Sequence, residues 1–143
     1  MLAIANVADV LGLPGREGVK SPFGLITRIE DGLPVDALER IARLLAPTDT
    51  QFKYRLVPRA TFERRKRAAF RLSSEEGMRV ARLARVWNLS VEVWGSEEEA
   101  RNFLFRPHAM LEDRRPVDVV IQSEIGAELV LDILQGLKYG SAA

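Results

Sequence analysis

The sequence predicts an all-α fold, with an N-terminal helix-turn-helix-like region packed against a C-terminal helical domain. Three observations carry that expectation. Apolar residues recur at helical spacing in each long segment, prolines and glycines stand where helices should start and stop, and no stretch alternates apolar and polar residues as a half-buried strand does. With 143 residues, 47% hydrophobic and 29% charged, the chain has the length and composition of one globular unit or two small ones sharing a core.

In residues 1–20 the glycines Gly12, Gly15 and Gly18 and Pro14 allow a short helix at most, followed by a loop, so this part is expected to be a flexible N-terminal segment. Ser21-Pro22 opens a second short helix that Asp31-Gly32 ends. Pro34 suits a first helical turn, and Val35, Leu38, Ile41, Ala42 and Leu45 then form one apolar stripe until Pro47. Thr48-Asp49-Thr50-Gln51 has the spacing of a capping box for a helix reaching about Val57. After Pro58, the segment from Arg59 to Ala69 has high helix propensity. Two short helices around a tight turn predict a helix-turn-helix within residues 21–71.

Residues 72–143 should form the second domain. Ser73-Ser74-Glu75-Glu76 is a capping box opening the longest periodic segment, with Val80, Leu83, Ala84 and Trp87 on its buried stripe and Arg79, Arg82 and Arg85 outside it. That helix should run to Trp94 and close at Gly95, and Ser96 followed by Glu97, Glu98 and Glu99 should start another, whose buried face is Ala100, Phe103 and Leu104. Pro116 is again a first-turn proline, and the final helix carries Ile125, Val130, Leu131, Leu134 and Leu137 before Gly140.

Chemistry is sparse along this chain. Without cysteine there is no thiolate zinc site or thiol nucleophile, and His108, the single histidine, cannot supply a histidine metal set. Beside Pro107 it reads as a capping or surface residue. The three consecutive glutamates read as a helix start, no phosphate-cradling glycine loop is present, and Ser73 and Ser74 have no histidine base. The chain is therefore expected to have no enzymatic activity and no cofactor, and residues 72–140 to be a module that binds another protein. No apolar run approaches the roughly 20 residues that span a bilayer. The N-terminus lacks basic residues ahead of its apolar part, so a cytoplasmic protein is expected.

Charge divides the chain. Residues 1–71 hold 13 Lys and Arg against 8 Asp and Glu, whereas residues 72–143 hold 8 against 12. Between Gln51 and Arg71, eight cations face only Glu63. On a helix-turn-helix such cations could contact phosphates, and Lys53, Arg59, Arg64, Arg65 and Arg67 are the candidate DNA-binding residues. The alternatives are that they solvate an exposed helix face or pair with the acidic half.

The register of the C-terminal half carries a resemblance. Leu72-Ser73-x-Glu75-Glu76, Arg82-Leu83-Ala84-Arg85-Val86 and Glu92-Val93-Trp94-Gly95-Ser96 are followed by Phe103-Leu104, Arg106-Pro107, Pro116-Val117-Asp118-Val119-Val120, Gly126-Ala127-x-x-Val130 and Gly140. This series resembles the toxin-binding domain shared by antitoxins of the Xre, MbcA and ParS group. The upstream Arg59-Ala60-Thr61-Phe62-Glu63-Arg64-Arg65 resembles the segment those antitoxins carry just before it. Three features depart from the family pattern: Phe103-Leu104 stands for Trp-Leu, Val57-Pro58 replaces a glycine in the helix-turn-helix turn, and Glu112-Asp113 replaces Gly-Gly, which predicts a differently shaped loop.

The resemblance implies a type II toxin–antitoxin component whose partner is a RES-domain toxin, an enzyme that depletes NAD. It implies that the antitoxin's C-terminal end blocks the toxin's active-site cleft, which nominates Lys138, Tyr139 and Gly140 as toxin-binding residues in a segment beyond the last helix. Autorepression through operator DNA and a homodimer would accompany this, with the Val35–Leu45 helix or the 72–94 helix supplying the dimer contact. The rival readings are a stand-alone DNA-binding transcriptional regulator without a toxin and an adaptor for some other partner.

Overall fold

In the computed structural model, which describes residues 4–13, 21–68 and 71–140, a single helix organises the rest. In chain order the helices are α1 (Ile4–Leu11), α2 (Pro22–Asp31), α3 (Val35–Leu45), α4 (Lys53–Leu56), α5 (Arg59–Ala68), α6 (Ser74–Trp94), α7 (Glu97–Leu104), α8 (Pro116–Gln122) and α9 (Glu124–Tyr139). A 3-10 turn, Ala109–Leu111, lies between α7 and α8. The fold is all-α among the described residues. The loop expected over residues 14–20 lies outside them.

Helix α6 packs against α1, α2 and α3 on the N-terminal side and against α7, α8 and α9 on the C-terminal side. Five consecutive residues, Val80, Ala81, Arg82, Leu83 and Ala84, are buried, more than a full turn, so this is an enclosed helix and not an amphipathic one with a solvated back. One apolar cluster runs from Val7 to Leu134 through it. The expected placement of Arg82 outside the stripe is therefore wrong. The exposed large apolar residues of α6 lie toward its ends, at Met78 and Trp94. Within residues 1–20, expected to be a flexible segment, Val7, Ala8, Leu11 and Leu13 are core residues.

Local signals fixed most helix ends. Ser73 Oγ accepts from Glu76 N–H while Glu76 Oε1 accepts from Ser73 N–H, which is the reciprocal box, and Gly95 closes α6 with φ 85°. Ser96 Oγ accepts from Glu99 N–H at the start of α7 and Ser123 Oγ from Gly126 N–H at the start of α9, each a one-way cap. The box expected at Thr48 does not form. Asp49 Oδ1 takes the Gln51 N–H at 2.9 Å, a tight two-residue turn that outcompetes the longer reach from Thr48, and α4 begins only at Lys53. Between α4 and α5, Val57 is extended and buried and Pro58 opens the next helix, so the turn is made without a glycine.

Helix C-termini, where four carbonyls lack helical partners, are satisfied by arginines from elsewhere in the chain. Arg40 Nε donates to Val10 O of α1 at 3.3 Å, Arg101 Nε to Leu44 O of α3 at 2.7 Å, and Arg79 Nη1 to Leu56 O of α4 at 2.6 Å. Arg71 Nη1 reaches Gly32 O just past α2 at 3.0 Å. Arg82 serves α8: Nε donates to Val120 O at 2.8 Å and Nη2 to Ile121 O at 2.7 Å. Burial, helped by neighbouring Arg79, lowers the Arg82 guanidinium from its ordinary value, and the residue retains only 9% of its exposure.

Candidate partner-binding surfaces

Helix α9 leaves the core carrying more apolar surface than the fold buries. Ala127, Val130 and Leu134 face α6, and a Cβ on Gly126 would overlap the carbonyl of Val119, so only glycine lets α8 and α9 approach this closely. On its other side Ile125 is 75% exposed and Leu129, one turn on, 51%, whereas Leu137, 47% exposed, lies on the core-facing side beyond Leu134 near the helix end. The sequence placed Ile125 and Leu137 on this helix with Val130, Leu131 and Leu134 without separating buried from exposed positions. The distinguishing signal was that apolar residues of α9 occupy too wide an arc for one buried face.

Lys138 and Tyr139 are the last two residues of α9 and Gly140 is its left-handed cap, φ 66°, donating its N–H to Gly136 O. The expectation of a free segment beyond the last helix is thus corrected: three favourable events, continued hydrogen bonding, the Glu92 contact and the glycine cap, carry the helix through Tyr139. Lys138 Nζ lies 2.7 Å from a Glu92 carboxylate oxygen, which together with the neighbouring tyrosine raises the ammonium above its ordinary value. Tyr139 is 73% exposed.

The 3-10 turn beside α7 holds Met110 in solvent and leads into Glu112 and Asp113, with φ of 54° and 64°. These left-handed conformations are the ones glycine adopts freely, so the loop keeps a shape suited to Gly-Gly despite its side chains, contrary to the expectation of a different one. Asp113 N–H and Leu111 N–H both donate to His108 O, and His108 N–H donates to Arg114 O. His108 Nε2–H donates to Phe103 O at 2.9 Å in the last turn of α7, a capping role, with its ring 4.8 Å from that of Phe103. Glu97, Glu98 and Glu99 fill the first turn of α7.

The basic run is sorted by its partners. Arg65 is engaged, with Nε 3.1 Å and Nη2 3.4 Å from the two Glu76 oxygens, while Lys66 pairs with Glu39 and Arg55 with Asp118. Asp118 also receives Arg115, and these two guanidiniums hold its carboxyl below the ordinary carboxylate range, the Arg115 bond contributing most. Arg59 stacks on the Tyr54 ring at 4.0 Å and donates to Gln51, and Lys53 sits over the rings of Phe62 and Tyr54. Arg64 and Arg67 are exposed, with no partner among the described residues. Of the five candidate DNA contacts, Arg65 is held inward, Lys53 and Arg59 are positioned by aromatic faces, and Arg64 and Arg67 are free.

Comparison with known proteins follows this division. Residues 24–85 match the Antitoxin Xre-like helix-turn-helix domain, and residues 90–140 match the Antitoxin Xre/MbcA/ParS C-terminal toxin-binding domain. The chain is also similar to Antitoxin Xre of Yersinia enterocolitica (serotype O:8 / biotype 1B), 28% identical over 132 residues that cover 91% of this chain and 86% of that protein. The two matched regions meet inside α6, the helix shared by both halves, and the second contains the whole exposed face of α9. By these two domains in this order, the chain belongs to the Xre/MbcA/ParS antitoxins of toxin–antitoxin systems, with a toxin protein as its partner.

Proposed function

We propose that this antitoxin neutralises a RES-domain, NAD-depleting toxin by placing the C-terminal end of α9 across the toxin's active-site cleft. The observation that supports the reading is the exposed apolar surface of α9, Ile125 and Leu129 on one face and Leu137 and Tyr139 toward its end, within the matched toxin-binding region. In this reading that surface anchors the complex by burying apolar area, and Tyr139 occupies the cleft with a large apolar body and a polar tip. Lys138 supplies a cation for an NAD-phosphate subsite. Its bond to Glu92 is solvent-exposed, so it contributes little and can be exchanged for an anionic partner. Gly140 ends the helix and frees the chain after it to turn. The antitoxin performs no chemistry in this scheme.

A second role rests on a separate observation. Arg64 and Arg67 project unpaired from α5, flanked by the aromatic-held Lys53 and Arg59, in the region matched to a helix-turn-helix. We infer that these residues contact operator phosphates and that a homodimer represses the antitoxin's own operon. Co-purification with a RES-domain protein encoded beside it, followed by an NAD-consumption assay with and without the antitoxin, tests the first role. Inhibition at equimolar antitoxin is the expected result, and undiminished NAD loss in its presence would overturn the reading.

A further inference from the structure

Leu25 and Ile29 are the buried residues of α2, which packs on α1 and α6. On its other side Phe23, Ile26, Thr27 and Glu30 recur at the i, i+3, i+4, i+7 spacing of a helix-packing stripe, and all four are exposed. Phe23, at 79%, is the most exposed large apolar side chain among the described residues, and Ile26, one turn on, is 48% exposed. The charges of α2 are placed against its own dipole. Glu30 and Asp31 stand in its last turn, the negative end, where carboxylates are disfavoured, and its first turn holds no acidic residue. Neither carboxylate has a partner among the described residues.

These features select the occupant of the stripe. DNA does not suit it, because the charges beside the apolar residues are carboxylates, which phosphates repel. The toxin-binding match, residues 90–140, lies in the other half of the chain. A second copy of α2 laid antiparallel suits it on both counts. Phe23 and Ile26 then bury against the other copy, Thr27 is small enough for the two helices to approach, and the carboxylates of each helix reach the positive, acid-free first turn of the other. We propose that α2 is the self-association face of this chain, pairing antiparallel about a two-fold axis beside Ile26 and Thr27. The proposal rests on the homodimer inferred above and supplies its contact surface. Four residues a copy fall well short of the roughly 20–30 a side of a standard interface, so the pairing is weak in free solution and strengthens where two copies stand on adjacent half-sites.

The full chain has no cysteine, so an introduced thiol reports its own contact. Sedimentation of the unaltered chain should show a concentration-dependent monomer–dimer equilibrium, and Ile26→Arg, which opposes like charges at the axis, should weaken it by about tenfold or more. Ile26 is half-exposed, so this variant should fold, which circular dichroism checks. Under mild oxidation Thr27→Cys should give a disulfide-linked dimer. Phe23→Cys should not, since its two copies would stand about 10 Å apart along the antiparallel helices, beyond disulfide reach. Mixing Phe23→Cys with Glu30→Cys should restore cross-linking. Undiminished self-association of Ile26→Arg, or Phe23→Cys cross-linking as readily as Thr27→Cys, would overturn the α2 face and leave the homodimer standing. Loss of toxin binding by Ile26→Arg with self-association unchanged would give the face to the toxin instead. An unaltered chain that stays monomeric at millimolar concentration and on its own promoter would remove the homodimer, and the face with it.

Discussion

Arg82 of α6 donates its Nε–H to the carbonyl of Val120 in the last turn of α8, 2.8 Å away, in a site where it retains 9% exposure. With Nη2 on Ile121 O, one cation closes the end of α8 where Ser123 starts α9. The helix terminus contributes negative potential, and the fork satisfies two carbonyls that would otherwise face the core. Arg82 thereby sets the angle at which the proposed toxin-facing helix leaves the domain.

Arg82→Met should cost about 3 kcal/mol, because it strips two charge-assisted bonds and leaves buried carbonyls unpaired. Arg82→Lys should recover only part of that, since an ammonium cannot reach both oxygens in the fork geometry. Urea denaturation reads both, and a Met variant within about 0.5 kcal/mol of the parent, the range of ordinary surface changes, would show the bonds to be dispensable.

Replacing Glu112 with glycine should stabilise the protein. A left-handed conformation costs an ordinary residue about 1–2 kcal/mol, and glycine's extra unfolded-state entropy returns part of that, leaving a net gain of about 1 kcal/mol. The exposed Arg114–Glu112 pair lost in the exchange contributes little. A rise in Tm of roughly 3 °C is expected by calorimetry. Asp113→Gly should gain less, because aspartate tolerates this region better. A fall in Tm for both would contradict the strain assignment.

Arg64→Ala and Arg67→Ala should each weaken binding to the antitoxin's own promoter and leave thermal stability unchanged, because neither side chain has a partner among the described residues. Arg65→Ala should do the reverse, lowering stability by about 1–2 kcal/mol through loss of its two-pronged bond to part-buried Glu76. Gel shifts at low and moderate salt, beside melting curves, separate the two effects. Equal promoter affinity for Arg64→Ala and Arg67→Ala would place DNA contact elsewhere.

Asp118 gives a pH signature. Its folded carboxyl titrates below its unfolded one, the Arg115 bond being the main cause, so the stability it contributes is present above the unfolded value and lost as pH falls through the folded one. The stability difference between the parent and Asp118→Asn should therefore be constant at neutral pH and shrink as pH drops below about 4. A difference independent of pH through that window would mean that Asp118 acts without its charge.

The features legible in the sequence were those decided within four residues. Ser73 with Glu76, Gly95, and Ser96 ahead of three glutamates all fixed helix ends through contacts of their immediate neighbours. At Thr48 the same reasoning failed because Asp49 offered the Gln51 N–H a shorter bond. Arg82 was misplaced because its partners are carbonyls 38 and 39 residues away, and because residues 80–84 of α6 are buried all round and leave no solvated face there for a charge. The candidate DNA contacts show the same limit. Charge counting gathered five cations, and only tertiary packing separates Arg65, which faces Glu76, from Arg64 and Arg67, which face solvent. At the C-terminus Lys138, Tyr139 and Gly140 form the end of a helix held by Glu92 and not the loose tail expected from the sequence.

The central claim is that the end of α9 blocks the toxin. The most direct measurement is NAD consumption by a RES-domain toxin that co-purifies with the chain, titrated with the full antitoxin, with Tyr139→Ala, and with a chain ending at residue 137, each first shown to be folded by circular dichroism. The full chain should abolish consumption at equimolar ratio, Tyr139→Ala should require a large excess, and the shortened chain should bind the toxin without silencing it. Complete inhibition by the shortened chain at equimolar ratio would contradict the account.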